Sequence, residues 1–200
     1  MKTVYIIRHG KTLWNQEHKM QGSLNSDLTD EGVYQAQKLS EKLRTIAFDK
    51  IYSSSAQRAI DTAHLVFPHA KINVQDTISE INMGTWEGQT HEWIESNYPH
   101  QWDAFFNEPL TYIPENDGES FQDVANRVKE FITLLNESND ETVAIVSHRI
   151  TIRIIIALLQ DGTLENVHII EDIQPNSCTT LTLENGALTI LDFNSTRHYK

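Results

Sequence analysis

A chain of 200 residues with 39% hydrophobic content is long enough to bury a full core and is expected to form one domain. Its formal charge of −12 argues against nucleic acid or an anionic membrane as partner, and no apolar run approaches the roughly 18 residues of a membrane span. The single cysteine, Cys178, permits no internal disulfide, and the N-terminus lacks a signal-peptide pattern, so a soluble protein of the reducing cytoplasm is expected.

In chain order, an apolar strand from Val4 to Arg8 runs into Arg8-His9-Gly10-Lys11-Thr12. A strand end of an α/β sheet opens into the crevice where such folds bind ligands, and Gly10 is expected to let the backbone approach a bound anion. Arg8 offers a planar fork of donors for phosphate oxygens, and its charge disfavours protonation of His9, keeping that imidazole nucleophilic. Thr29 then precedes a helix to about Ile46, with Val33, Ala36, Leu39 and Leu43 near one face. After the strand Lys50 to Ser53, Ser54-Ser55-Ala56-Gln57-Arg58 opens a second helix, and a strand follows at Ile72 to Gln75.

Ser79-Glu80-Ile81-Asn82-Met83-Gly84 stands next. From Ile72 through Asn126 there is no lysine or arginine, while acidic residues and the aromatics Trp86, Trp93, Trp102, Phe105 and Tyr112 are frequent. Residues 86–118 are read as an insertion able to form a lid, with most of its aromatics packing on the sheet. Ser120 with Asp123 makes a capping-box start for a helix from Phe121 to Leu135. The strand Thr142 to Ser147 ends at His148, and a helix N-terminus beyond it is expected to favour a bound anion. Thr179 to Leu183 and Ala187 to Phe193 flank Glu184-Asn185-Gly186, a hairpin signal. Cys178 is read as a packing residue. The other histidines, His18, His64, His69, His91, His100, His168 and His198, share no ligand spacing and are read as surface or packing residues, with His18 at a pocket rim. The predicted architecture is α/β: a three-layer α/β/α sandwich with a mostly parallel sheet and an antiparallel C-terminal hairpin.

The motifs around His9, Arg58, Glu80 and His148, in that order, resemble those of the histidine phosphatase superfamily, the group with phosphoglycerate mutase-like folds, over Thr3 to about Leu183. The resemblance implies a single histidine phosphatase domain over residues 1–200. It implies His9 as the nucleophile that becomes a phosphohistidine, Arg8, Arg58 and His148 as the grip on the phosphoryl oxygens, and Glu80 as the proton donor. Asn15 matches a phosphate-contacting amide, and Gln21-Gly22 a loop that closes over the same group. Two departures stand out: Arg149 follows His148 where the family commonly has glycine, and Ser23 and Asp27 leave the Gln21 loop less basic than usual. Arg149 is read as a solvated side chain, the alternative being recognition of a second anionic group.

Phosphoryl transfer is governed by positioning and charge stabilisation, so two arginines with a protonated His148 would oppose a dianion with about three positive charges, and neither metal nor cofactor is expected. One carboxyl could protonate the leaving alkoxide and then deprotonate the attacking water. An acidic, aromatic wall is expected to repel a second anionic group. These readings favour a metal-independent hydrolase of small phosphomonoesters over a phosphoglycerate mutase, and over a catalytically weak phospho-ligand-binding module; oligomeric state is left open.

Overall fold

A computed structural model describes residues 1–184 and 187–200. Six strands, β1 (Lys2–Arg8), β2 (Lys50–Ser53), β3 (Ile72–Val74), β4 (Thr142–Ser147), β5 (Cys178–Glu184) and β6 (Ala187–Ser195), form one sheet in the order β3-β2-β4-β1-β5-β6. β1 to β4 run parallel and β5 and β6 pair antiparallel at one edge, so the predicted sheet and hairpin are present. Asn185 and Gly186, the expected turn, lie outside the described residues.

The helices are α1 (Leu13–Gln16), α2 (Asp30–Leu43), α3 (Gln57–Val66), α4 (His91–Asn97), α5 (Pro99–Asn107), α6 (Phe121–Glu137) and α7 (Arg149–Asp161). Period-two alternation divides the central strands between two faces. Val4 and Ile6 of β1 and Val143 and Ile145 of β4 join one core with α6 and α7, whereas Ile7, Ala144 and Val146 join another with α2 and α3. The helix starts follow their caps: the Thr29 side chain accepts from the Gly32 amide, and Ser120 and Asp123 form the reciprocal box of α6. α2 stops at Leu43, three residues before the predicted end.

Within residues 86–118, α4 and α5 are helices that the sequence reading did not separate. Thr90 caps α4, and Pro99 at the first position of α5 supplies a preset φ. Trp86, Phe105 and Tyr112 are buried and belong to the same core as α6, with Trp86 and Phe105 ring centroids 6.2 Å apart. Cys178 is buried beneath α2, and burial pushes its thiol up to about 11, which suits packing rather than nucleophilic chemistry.

Candidate active site

The sheet order creates the site. β1 and β4 are neighbours with Arg8 opposite Ser147, so the residues that follow, His9 and His148, emerge side by side with ring centroids 5.1 Å apart. The His9 amide donates to the Ser147 carbonyl at 2.9 Å, locking that register. Arg8, His9, Asn15, Gln21, Gly22, Arg58 and Glu80 line one cavity of about 640 Å³. His148 is buried against His9 rather than lining that cavity.

Around His9, Nδ1 lies 2.8 Å from the Gly10 carbonyl, where as donor it leaves Nε2 with the lone pair. Burial, then Arg58 and Arg8, hold the His9 imidazole well below its ordinary value of 6.5, so it is neutral near pH 7. Gly10 serves packing rather than anion approach. Its amide donates to Thr62 Oγ1 at 2.9 Å, and a Cβ there would sit 3.1 Å from Asn176 Nδ2 and 3.3 Å from the Gly32 carbonyl.

Arg58 is buried on the first turn of α3, where it could have paired with Asp61. Instead Asp61 accepts from Gln57, while Arg58 donates to the carbonyls of Gly22 and Leu24 at 2.8 and 2.7 Å. Gly22 sits at φ +51°, and a Cβ there would meet Glu87 Oε1 at 2.1 Å, so glycine is required on both counts. Arg8 donates to the Ile173 carbonyl. Burial brings both guanidinium groups down to about 10, still cationic near neutrality. Asn15 uses its Oδ1 to accept from the Thr12 amide at 3.1 Å, which leaves its NH₂ as the donor on the cavity side. Four polar atoms are buried here without a partner among the described residues: Arg8 Nε, Arg58 Nε, His148 Nδ1 and Gln21 Oε1. Buried donors without acceptors are costly, and three of these four are donors or can be.

Three expectations need correction. His148 is not a ready third charge: burial, followed by Arg58 and His9, holds it well below 6.5 and neutral. The N-terminus of α7 is not vacant for a ligand anion. The Glu80 carboxylate already occupies it, accepting from the amides of Ile150 and Thr151 at 3.2 Å each. Nor is the wall acidic. Of the acidic residues between Ile72 and Asn126, Glu80 alone lines this cavity; Glu87 accepts from loop amides, Glu119 pairs with Arg127, and Asp123 caps α6. Lys11, Lys19 and Arg149 line it as well. Arg149 lines the cavity with its side chain still partly exposed to solvent, paired with Asp172 and lying 5.7 Å from the Phe106 ring centroid. His18 does reach the rim, and so does His91, which the sequence groups with the surface or packing histidines.

Supporting residues escaped the sequence reading. Arg127 reaches back from α6 to donate to the carbonyls of Thr77, Ser79 and Glu80, fixing the segment that carries Glu80. Glu87 accepts from the amides of Ser23 and Leu24 at 2.7 and 3.1 Å and holds the loop that grips Arg58. Ser54 Oγ lies 2.7 Å from His148 Nε2. The serine run after β2 was a visible signal for Ser54; nothing local marked Arg127 or Glu87.

Residues 4–196 match the family model of the histidine phosphatase superfamily (branch 1). The chain is 33% identical over 156 residues to phosphoserine phosphatase 1 of Hydrogenobacter thermophilus, covering 76% of this chain and 74% of that protein. It is 33% identical over 159 residues to the adenosylcobalamin/alpha-ribazole phosphatase of Escherichia coli K12, covering 78% of each. The solved structure of Bacillus stearothermophilus YhfR is similar over 100% of both chains, with a TM-score of 0.92 and 31% identity. The chain therefore belongs to the histidine phosphatase superfamily and is an enzyme of the phosphatase class. The match runs past Leu183 to residue 196, and Thr196 lines the cavity.

Proposed function

We propose that this phosphatase hydrolyses small phosphomonoesters without a metal ion, through a phosphohistidine on His9. The observation that carries the reading is the set of buried nitrogens without a partner among the described residues, Nε–H of Arg8 and Arg58 and Nδ1 of His148, around an imidazole whose Nε2 lone pair is free. A phosphoryl group supplies the acceptors that those donors lack. His9 Nε2 attacks phosphorus, the ester P–O bond breaks, and Glu80 delivers a proton to the leaving oxygen; Glu80 then takes a proton from the water that cleaves the P–N bond. The arginines balance the charge on the equatorial oxygens throughout. Asn15, Gln21 and Gly22 complete the contacts to the same group. Residues 86–118 act as the lid, contributing His91 and Phe105 to the mouth. Beyond the phosphoryl pocket the wall is polar and of mixed charge, with Lys11 paired to Glu31 and Arg149 to Asp172, which suits a polar leaving group. Among the described residues no helix is long and apolar enough to cross a membrane.

The test is release of phosphate from p-nitrophenyl phosphate in the presence of EDTA, with rapid quenching to trap an acid-labile, alkali-stable adduct. His9→Ala should abolish both. Activity restored only by a divalent cation, or full turnover by His9→Ala, refutes the mechanism.

A further inference from the structure

Ser54 stands where the hydrogen atoms of the site must be shared out. Its amide donates to the Val146 carbonyl at 2.9 Å, which sets the residue beside the end of β4 and hence beside His148. Its hydroxyl oxygen accepts from the Ala56 amide at 3.2 Å and meets His148 Nε2 at 2.7 Å. The hydroxyl hydrogen can go to Ser79 Oγ at 3.3 Å with Nε2–H donating to the hydroxyl oxygen, or to a bare Nε2 at 2.7 Å. A separation of 2.7 Å is the optimum for an O–H donor and the short limit for an N–H donor, and 3.3 Å is past the range of an O–H donor, so the distances favour the hydroxyl hydrogen on the bond to Nε2. An imidazole that accepts at Nε2 carries its own hydrogen at Nδ1.

Nδ1 of His148 is buried and has no partner among the described residues. The ring lies against His9, which is to take the phosphoryl group. A phosphoryl dianion offers acceptors only, so the opposite tautomer would set a lone pair against negative charge, whereas an Nδ1–H donates to it. We infer that Ser54 sets the tautomer of His148, holding Nε2 as an acceptor so that Nδ1–H is presented to the phosphoryl group bound at His9. Ser54 touches no reacting atom; it is a positioning residue that works through the imidazole. His148 then donates to the dianion without first taking up a proton from solvent. The contribution to phosphoryl binding presupposes the phosphohistidine reading of this pocket, but the resting tautomer does not.

Long-range proton–nitrogen correlation spectra of the full chain at about pH 7.5 read the tautomer directly, with His148 assigned by the signals lost in His148→Asn. The wild type and Ser54→Thr should both show Nδ1 protonated and Nε2 bare, and Ser54→Ala should lose that pattern. A wild-type His148 protonated on Nε2, alone or together with Nδ1, overturns the inference, as does an unchanged spectrum in Ser54→Ala. In turnover of p-nitrophenyl phosphate, Ser54→Ala should lower kcat/KM about tenfold and Ser54→Thr should recover it to within about threefold. An alanine variant as fast as wild type removes Ser54 from the mechanism. If the wild type turns over no ester at all, the phosphatase mechanism fails while the spectra still decide the tautomer.

Discussion

Thr151 holds the Glu80 carboxylate through its amide at 3.2 Å, while its hydroxyl, 3.1 Å from the same carboxylate, gives its one hydrogen to the Ser79 carbonyl at 2.7 Å. With the amides of Ile150 and Ile81 also donating to it, the carboxylate is anchored to the first turn of α7, directly after His148. A group held this way is placed well but must shed hydrogen bonds to carry a proton to a leaving oxygen. Glu80→Gln should therefore slow esters of poorly leaving alkoxides about 10²- to 10⁴-fold and p-nitrophenyl phosphate much less. Thr151→Val, which removes the hydroxyl bond to the Ser79 carbonyl next to Glu80, should cost about threefold to tenfold on the same poor esters. Equal losses on good and poor leaving groups for Glu80→Gln would assign the acid elsewhere.

The acid limb of kcat/KM should lie below pH 6.5. His9 is driven below that ordinary value by burial first and by Arg58 and Arg8 second, so it stays a neutral nucleophile where a solvated histidine is half protonated. A limb at or above 6.5 in the pH profile contradicts this environment.

Stability should follow pH in the same direction. His9 and His148 resist protonation in the folded chain but take protons near pH 6.5 once unfolded, so the unfolded state binds more protons as pH falls. Their stabilising contribution is complete above that value and is lost progressively below it. Asp49 and Asp123, whose carboxyls are lowered by hydrogen bonds from neighbouring amides and hydroxyls, lose theirs at still lower pH. Calorimetry should show Tm at about pH 5 at least roughly 5 °C below that at about pH 7, and a flat or inverted profile contradicts the assignment.

Glu87 ties the Ser23 and Leu24 amides, and through that loop the two carbonyls that hold Arg58. Glu87→Ala should raise KM for phosphate esters about tenfold through misplacement of the guanidinium, with far-ultraviolet circular dichroism unchanged. An unaltered KM would separate the loop from the grip on phosphate.

Phe105 is buried among Phe106, Tyr112 and Phe121 while also bordering the cavity. Phe105→Ala should cost about 3–5 kcal/mol in denaturant unfolding, the range for a large core truncation. A loss under about 1 kcal/mol would mean that these aromatics cover the cavity without belonging to the core.

What the amino-acid sequence determined by itself were the features written in neighbouring residues. The apolar runs of β1 and β4, the caps Thr29 and Ser120, and the histidines that close those two strands are local patterns that act over a few positions. They were enough for the α/β architecture and, together with the family resemblance, for seven residues that meet in the cavity, Arg8, His9, Asn15, Gln21, Gly22, Arg58 and Glu80. Tertiary structure alone decided where distant groups face. The β2-β4 pairing brings Ser54 to His148 across 94 residues, while packing of α6 and the loops brings Arg127 to the Glu80 carbonyl across 47 and Glu87 to Ser23 across 64. The acidic stretch misled for the same reason: composition counts charges but carries no direction. Helix caps, an ion pair and loop amides turn the carboxylates of Asp123, Glu119 and Glu87 away from the cavity that their position in the chain suggested they would line.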